Sequence, residues 1–237
     1  MSLTVAVPTM DRWDSFLKHQ LPIYLAHPKI ACVVISDENG NDIEKISNTE
    51  FAMDPKLRLY QNDKVLGVYG NKRQCILKAP TEWVAVLDSD NTFTNEFFDS
   101  FFLKADLQDT KNIYCAGKNE RLFIDTGLTE NRTEHFSGMK ISTLNWNSIL
   151  KTTAWNFLLN DGNCIWPKEV VKFFPDLPEE EIVGTDSIFF VRQAIKAGYT
   201  LNVEPTMHYI HTVHTGSHWL QNAQVSSRLL AQRVWTI

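Results

Sequence analysis

A chain of 237 residues with 43% hydrophobic and 22% charged side chains is not that of a disordered polypeptide and suits one large domain or two small ones. Its formal net charge of -5 offers no basic field to a phosphate backbone or an anionic membrane, so an obligate nucleic-acid binder is disfavoured. The longest apolar runs, such as residues 30–35, are far too short to cross a bilayer. Cys32, Cys75, Cys115 and Cys164 are scattered without a CxxC pair or zinc-like spacing, which reads as buried free thiols of a reducing compartment. No basic and apolar leader precedes the strand-like sequence at Leu3, so the expectation is a cytoplasmic protein without an integral membrane segment. The glycosylation sequon at residues 131–133 is then accidental.

The first ninety residues alternate two patterns. "LTVAV" (3–7), "IACVVI" (30–35), "LRLYQ" (57–61) and "WVAVL" (83–87) are short strand-like runs, several apolar on both faces as buried parallel strands are. Between them, "WDSFLKHQLPIYLAHP" places Trp13, Phe16, Leu17, Leu21 and Leu25 at helical intervals, with Pro22 as a kink or break. "VYGNKRQCILKAP" does the same with Val68, Cys75, Ile76 and Ala79 before Pro80. Strand and helix in alternation predict an α/β fold, a mostly parallel sheet with helices on both faces.

Downstream the pattern loosens. Residues 95–107 read as a helix, "NIYCAG" and "RLFID" as a strand pair, and residues 125–165 as polar and irregular. "PKEVVKFF" (167–174) and "TDSIFFVRQAIKAG" (185–198) read as helices, the second with Thr185 as N-cap, Asp186 in the first turn and Gly198 at the C-terminal cap. The closing strand-like run carries His208, His211, His214 and His218. No linker, repeat or low-complexity tract divides the chain. The expectation is one domain over 1–237, whose second half decorates the sheet of the first.

The chemistry starts at "VAVLDSDNTF", where an apolar strand ends in Asp88 and Asp90. Ligands of an open parallel sheet bind beyond the carboxyl ends of its strands, and residues two apart in extended backbone point the same way. Both carboxylates can therefore face one metal ion, or one metal and one sugar hydroxyl. The alternative is a polar turn ending a strand.

Here the chain resembles the GT-A fold glycosyltransferases, most closely the inverting family 2. "VAVPTMDR" resembles the family's opening strand and Pro-Thr turn, and "VVISDENGND" its second strand with an acidic residue, here Asp37. "LGVYGNKRQCILKAPTEWVAVLDSDN" is similar to the segment leading to the D-x-D motif, and "GTDSIFFVRQAIKAGY" to the downstream acidic motif. The chain departs from the family in having Thr185 before Asp186, where an acidic neighbour is usual, and Asn71-Lys72-Arg73 in place of Ala-Arg-Asn.

The resemblance implies a Rossmann-like GT-A sheet with a small antiparallel acceptor-side part. It also implies transfer of a sugar from a nucleotide donor, UDP being the commonest, to an acceptor hydroxyl, as on a glycan. Pro8, Thr9 and Arg12 would meet the nucleotide, Asp37 the nucleobase, and Lys72 or Arg73 the donor, with Ser89 and Asp88 beside it. Asp90 is the main metal ligand expected, with Asp88 shared and His211, roughly twenty-five residues after the base, completing the shell; His214 is the reserve. A carboxylate, an imidazole and phosphate oxygens suit Mn2+, with Mg2+ as the other choice. Asp186 is the expected catalytic base, the alternative being a carboxylate favoured by a helix N-terminus. Trp146, Trp155 and Trp166 are acceptor-site candidates or core packing.

Two rivals are weighed against this. A sugar nucleotidyltransferase would want a glycine-rich phosphate loop after the first strand, and "VPTMDRWD" contains no glycine. A non-catalytic carbohydrate-binding protein of the same fold would be expected to lose Asp88, Asp90 or Asp186.

Overall fold

The apolar runs of the first half form strands, as a computed structural model shows; it describes residues 2–131, 133–152, 155–159, 162, 164–233 and 237. Strand β1 (Leu3–Thr9) leads through a wide π-helical turn, Trp13–Leu17, into α1 (Lys18–Ala26). Pro22 lies inside α1 rather than breaking it. Then come β2 (Ile30–Asp37), α2 (Asn41–Ser47), β3 (Leu57–Gln61), α3 (Gly67–Lys78) and β4 (Trp83–Val86). The second half supplies β5 (Thr92–Phe93), α4 (Asn95–Lys104), β6 (Asn112–Phe123), β7 (Thr129–Asn131) and β8 (Lys140–Ile141). Short helices α5 (Trp146–Ile149) and α6 (Trp155–Leu159) precede β9 (Cys164–Pro167), α7 (Asp186–Lys196) and β10 (Thr200–Val213). The described chain closes with α8 (His218–Gln221) and α9 (Ala223–Arg233).

The strands join one sheet in the order β3-β2-β1-β4-β9-β6-β10-β5, with β7 on β6 and β8 on β10. The pairs among β1 to β4 are parallel, as is β6 with β10; β9 joins the two groups through antiparallel pairs to β4 and β6. The fold is thus the expected mixed α/β class with a largely parallel sheet. The chain steps outward from β1 to β3 and then returns to place β4 on the other side of β1. That reversal opens a crevice at the carboxyl ends of β1 and β4.

Alternating residues of β1 feed two cores. Val5 and Val7 pack with Trp83, Phe97, Phe98 and Phe101 on one face of the sheet, while Ala6 packs with Val84, Trp166, Phe190 and Val191 on the other. Burial on both faces explains why the strand is apolar throughout. The four cysteines are buried and free, and no helix among the described residues is long and apolar enough to cross a membrane.

Three local readings change. The expected strand pair at 112–125 is one twelve-residue strand, because β10 runs parallel beside it from Thr200–Asn112 to Val213–Phe123 and pairs along nearly its whole length. Residues 168–173 form a 3-10 rather than an α-helix. Thr185 precedes α7 as expected but does not cap it with its side chain, since its hydroxyl donates back to the Ile182 carbonyl at 2.8 Å. Gly198, with φ +85°, does sit just past the end of that helix.

Candidate active site

The crevice is a cavity of about 670 Å³, and most of the residues singled out from the sequence line it. Pro8, Thr9 and Arg12 come from the turn after β1, Asp88, Ser89 and Asp90 from the turn after β4, Lys72 from α3, Asp186 from the start of α7 and His211 from β10.

Lys72 is the centre of the cluster. It lies on the buried stripe of α3, and its side chain is only 4% exposed. Its Nζ stands 2.7 Å from Asp88 Oδ1, 2.5 Å from Asp186 Oδ2 and 3.1 Å from Ser187 Oγ. Burial opposes the lysine's charge, but the two carboxylates outweigh burial and raise its pKa above the ordinary value. Burial also raises the pKa of Asp88, and the negative charges of Asp186 and Asp90 add to that, against the pull of Lys72. Gly162 presses its backbone against this group: with φ +71°, a Cβ there would stand 3.1 Å from both Asp88 Oδ2 and Ser187 Oγ. Only a glycine meets both demands without displacing a neighbour.

Asp90 has a different partner. His214 Nε2 donates to Asp90 Oδ2 at 3.0 Å, and the imidazole rests against the Phe16 ring, centroids 5.2 Å apart. Burial works against ionisation of Asp90, yet the His214 hydrogen bond and the charges of His211 and Arg12 prevail and hold its pKa below the aspartate norm. His211 lines the cavity close by, and its Nδ1 is buried without a hydrogen-bond partner. Regular strand alternation would send His211 and His214 to opposite faces. β10 ends at Val213, so alternation no longer governs residue 214, whose ring reaches Asp90 while His211 lines the same cavity. His208 points elsewhere and pairs with Glu120 at 3.0 Å; the side chain of His218 lies outside the described residues.

Asp88, Asp90 and His211, the expected metal set, all line the cavity. Asp88 spends one oxygen on Lys72, and His214 rather than His211 touches Asp90. Among the described residues no three His, Cys, Asp or Glu side chains form a ready-made cage. A divalent cation still fits at Asp90 and His214: their 3.0 Å separation equals that of neighbouring ligands in an octahedral shell with bonds of about 2.1 Å. The unsatisfied His211 nitrogen is the adjacent donor.

Other candidates do not line the cavity. Asp37 is fully buried; its carboxylate accepts the backbone N–H groups of Asp42 at 2.9 Å and Ile43 at 3.0 Å, holding the start of α2. Asp42 in turn accepts from the Thr9 hydroxyl and from the N–H groups of Arg12 and Trp13, which shapes the turn after β1. Arg73 points off the cavity and donates to the Phe174 carbonyl at 2.9 Å. Trp146 and Trp166 are core residues and Trp155 packs against the core.

The residues missed from sequence are Glu38, Asn91, Arg121, Phe157 and Glu179, all on the cavity wall. Glu38 accepts the Leu66 N–H at 2.7 Å, and burial raises its pKa. Arg121 stacks over Phe157 with its guanidinium carbon 3.9 Å from the ring centroid. Of these only Glu38 carried a signal, as the acidic neighbour of Asp37 one step further around the strand.

The model of glycosyl transferase family 2 matches residues 5–159. No curated protein matches the chain in sequence. Among solved structures, residues 1–349 of S. aureus TarS superpose with a TM-score of 0.67 at 15% identity, covering 90% of this chain and 60% of that one. The same TarS fragment in complex with UDP-GlcNAc gives 0.67 at 13% identity, covering 98% and 66%. GalNAc-T7 with UDP, GalNAc and Mn2+ gives 0.69 at 12% identity, covering 98% and 47%. The chain therefore spans less than two thirds of the length of these proteins, and at such identities the likeness is one of fold.

Proposed function

The chain belongs to glycosyl transferase family 2, and from that premise we propose that it moves a sugar from a nucleotide-sugar donor to an acceptor hydroxyl, with a divalent cation and with inversion at the anomeric carbon. The observation that carries the reading is the meeting of Asp88, Asp90 and Asp186 around one cavity at the switch point of the sheet. UDP-sugars are the donors proposed, because the TarS and GalNAc-T7 structures hold UDP-GlcNAc, and UDP with GalNAc. A hexose is the sugar proposed and a glycan hydroxyl the acceptor. Residues 1–237 act as one domain, residues 1–91 on the nucleotide side and residues 92–237 on the acceptor side.

Charge balance explains the cation. Glu38, Asp88, Asp90, Glu179 and Asp186 face the same cavity as Arg12, Lys72 and Arg121, so the wall carries more carboxylates than side-chain cations before an anionic diphosphate enters. Asp90 and His214 would hold the ion, with His211 beside them; oxygen and imidazole donors suit Mn2+, and Mg2+ is the other choice. When bound, such an ion neutralises charge that develops on the departing diphosphate.

The remaining chemistry belongs to the chain. Asp186 takes the proton of the acceptor hydroxyl as its oxygen bonds to the anomeric carbon and the bond to the diphosphate oxygen breaks. Lys72, between Asp88 and Asp186, is the counter-charge shared by two acidic groups, one near the donor and one toward the acceptor. Pro8, Thr9, Arg12 and Ser89 frame the nucleotide.

A panel of nucleotide sugars incubated with Mn2+, with and without EDTA, tests the reading. UDP release from one UDP-sugar, abolished by EDTA and giving an inverted anomeric product by NMR, is expected. Absence of release from every nucleotide sugar, or retention at the anomeric carbon, would sink it.

A further inference from the structure

The turn that carries the two aspartates is fastened at its far end by Asn91. This residue is 1% exposed and makes three long-range or turn-closing bonds. Its Oδ1 accepts the N–H of Thr212, 121 residues away, at 2.8 Å. Its backbone carbonyl accepts from Gln20 Nε2 of α1 at 2.6 Å, and its N–H donates to the Asp88 carbonyl at 2.9 Å.

The bond to Thr212 has a particular place in the sheet. Antiparallel pairing of β5 with β10 runs Phe93 to Tyr209 and Thr92 to Ile210, and there it stops. One step further the Asn91 side chain takes over, offering a carbonyl oxygen to β10 where a strand would have offered its backbone. Thr212 lies between His211 and His214 in the chain, and Asn91 adjoins Asp90. One hydrogen bond thus spans the gap between the carboxylate and the two imidazoles.

We propose that Asn91 is a positioning residue of the transferase: its side-chain carbonyl clamps the Asp88–Asn91 turn to the end of β10 and so sets the approach of Asp90 to His214 and His211. The inference rests on the reading of Asp90 and His214 as the cation-binding pair. It makes Asn91 matter for binding through the ligands it orients. Groups that orient metal ligands from behind are worth about 10–100-fold in affinity.

The test compares Asn91→Leu, which keeps the volume and loses the acceptor, with Asn91→Asp, which keeps the acceptor. Asn91→Leu should lose about 10–100-fold in Mn2+-dependent affinity for UDP by calorimetry, and Asn91→Asp should recover most of that loss. In the metal-free protein the imidazole NMR signals of His211 and His214 should move in Asn91→Leu and stay near their wild-type positions in Asn91→Asp. Wild-type affinity in Asn91→Leu, or unmoved imidazole signals, would overturn the clamp. If the wild-type protein itself binds no UDP with Mn2+, the cation reading fails, and the metal-free NMR comparison still decides the clamp. Should Asn91→Leu not fold, Asn91→Ala answers the same questions.

Discussion

Replacing Lys72 by methionine is the sharpest probe of the cavity floor. The substitution keeps the length of the side chain and deletes one buried charge that faces Asp88 at 2.7 Å and Asp186 at 2.5 Å. At an effective dielectric of about 20, each contact is worth roughly 6 kcal/mol of Coulomb energy, most of it offset by the several kcal/mol needed to desolvate each ion. What the variant loses is compensation: the Asp186 side chain, 9% exposed, and the Asp88 side chain, 28% exposed, remain without their counter-charge. Breaking such a buried group by removing one partner costs about 3–5 kcal/mol. For a chain of this size, that corresponds to a fall in Tm of roughly 6–20 °C.

The pH dependence gives the sign. Burial already raises the Asp88 pKa and Lys72 is what pulls it down, so loss of the lysine lifts it further above its unfolded value, and the native state binds more protons and gains stability as pH falls. The gap between wild type and Lys72→Met should be widest at neutral pH and narrow below about pH 5. Adding Asp186→Asn to Lys72→Met should restore part of the Tm. Thermal melts from pH 4 to 8 decide it: a Lys72→Met variant within about 2 °C of wild type at pH 7 would refute the reasoning, because the lysine could not then be the counter-ion of two buried acids.

Three further outcomes are expected. Asp186→Asn should lose about 10²–10⁴ in turnover, measured as product formation, with UDP and Mn2+ affinity nearly unchanged by calorimetry, since a base for the acceptor adds little to donor binding. His214→Ala should weaken Mn2+-dependent UDP binding about 10–100-fold and more than His211→Ala does, and Asp90→Ala should abolish it; equal affinity in all three variants would remove this pair from the ion site. Glu38→Gln keeps an acceptor for the Leu66 N–H and removes a carboxyl whose pKa burial raises, so it should raise Tm at pH 7 to 8, with the gain shrinking as pH falls toward the ordinary glutamate range near 4.

The parallel half of the fold was legible because its strands are buried on both faces and so read as continuous apolar runs, as "TVAV" and "CVVI" do. The long β6 was not, since a polar interval at Lys118-Asn119-Glu120 breaks the apolar run without breaking the pairing to β10. Lys72 could have been preferred to Arg73 from the sequence. It lies four residues after Val68 and four before Ile76 on α3, on the stripe that faces inward, whereas Arg73 is turned about 100° around the helix.

Asp37 and Asp88 show where such reading ends. Each is an aspartate at the carboxyl end of a parallel strand beside the crevice, and nothing in the strands tells them apart. The loops do. After Asp37, Gly40 adopts φ +85°, a left-handed conformation open to glycine, and turns the chain so that the N–H groups of Asp42 and Ile43 converge on the Asp37 carboxylate. After Asp88 the side chain meets Lys72 across the cavity instead. An acid satisfied by its own loop becomes structure, while an acid whose counter-charge comes from another element stays where an incoming ligand can compete for it. The same distinction separates Asp42, consumed by the turn after β1, from Asp90, whose partner His214 arrives from beyond the end of β10. The geometry of this crevice therefore depends on contacts 114 to 124 residues apart in the chain, Lys72 with Asp186 and His214 with Asp90, which no local pattern of residues can encode.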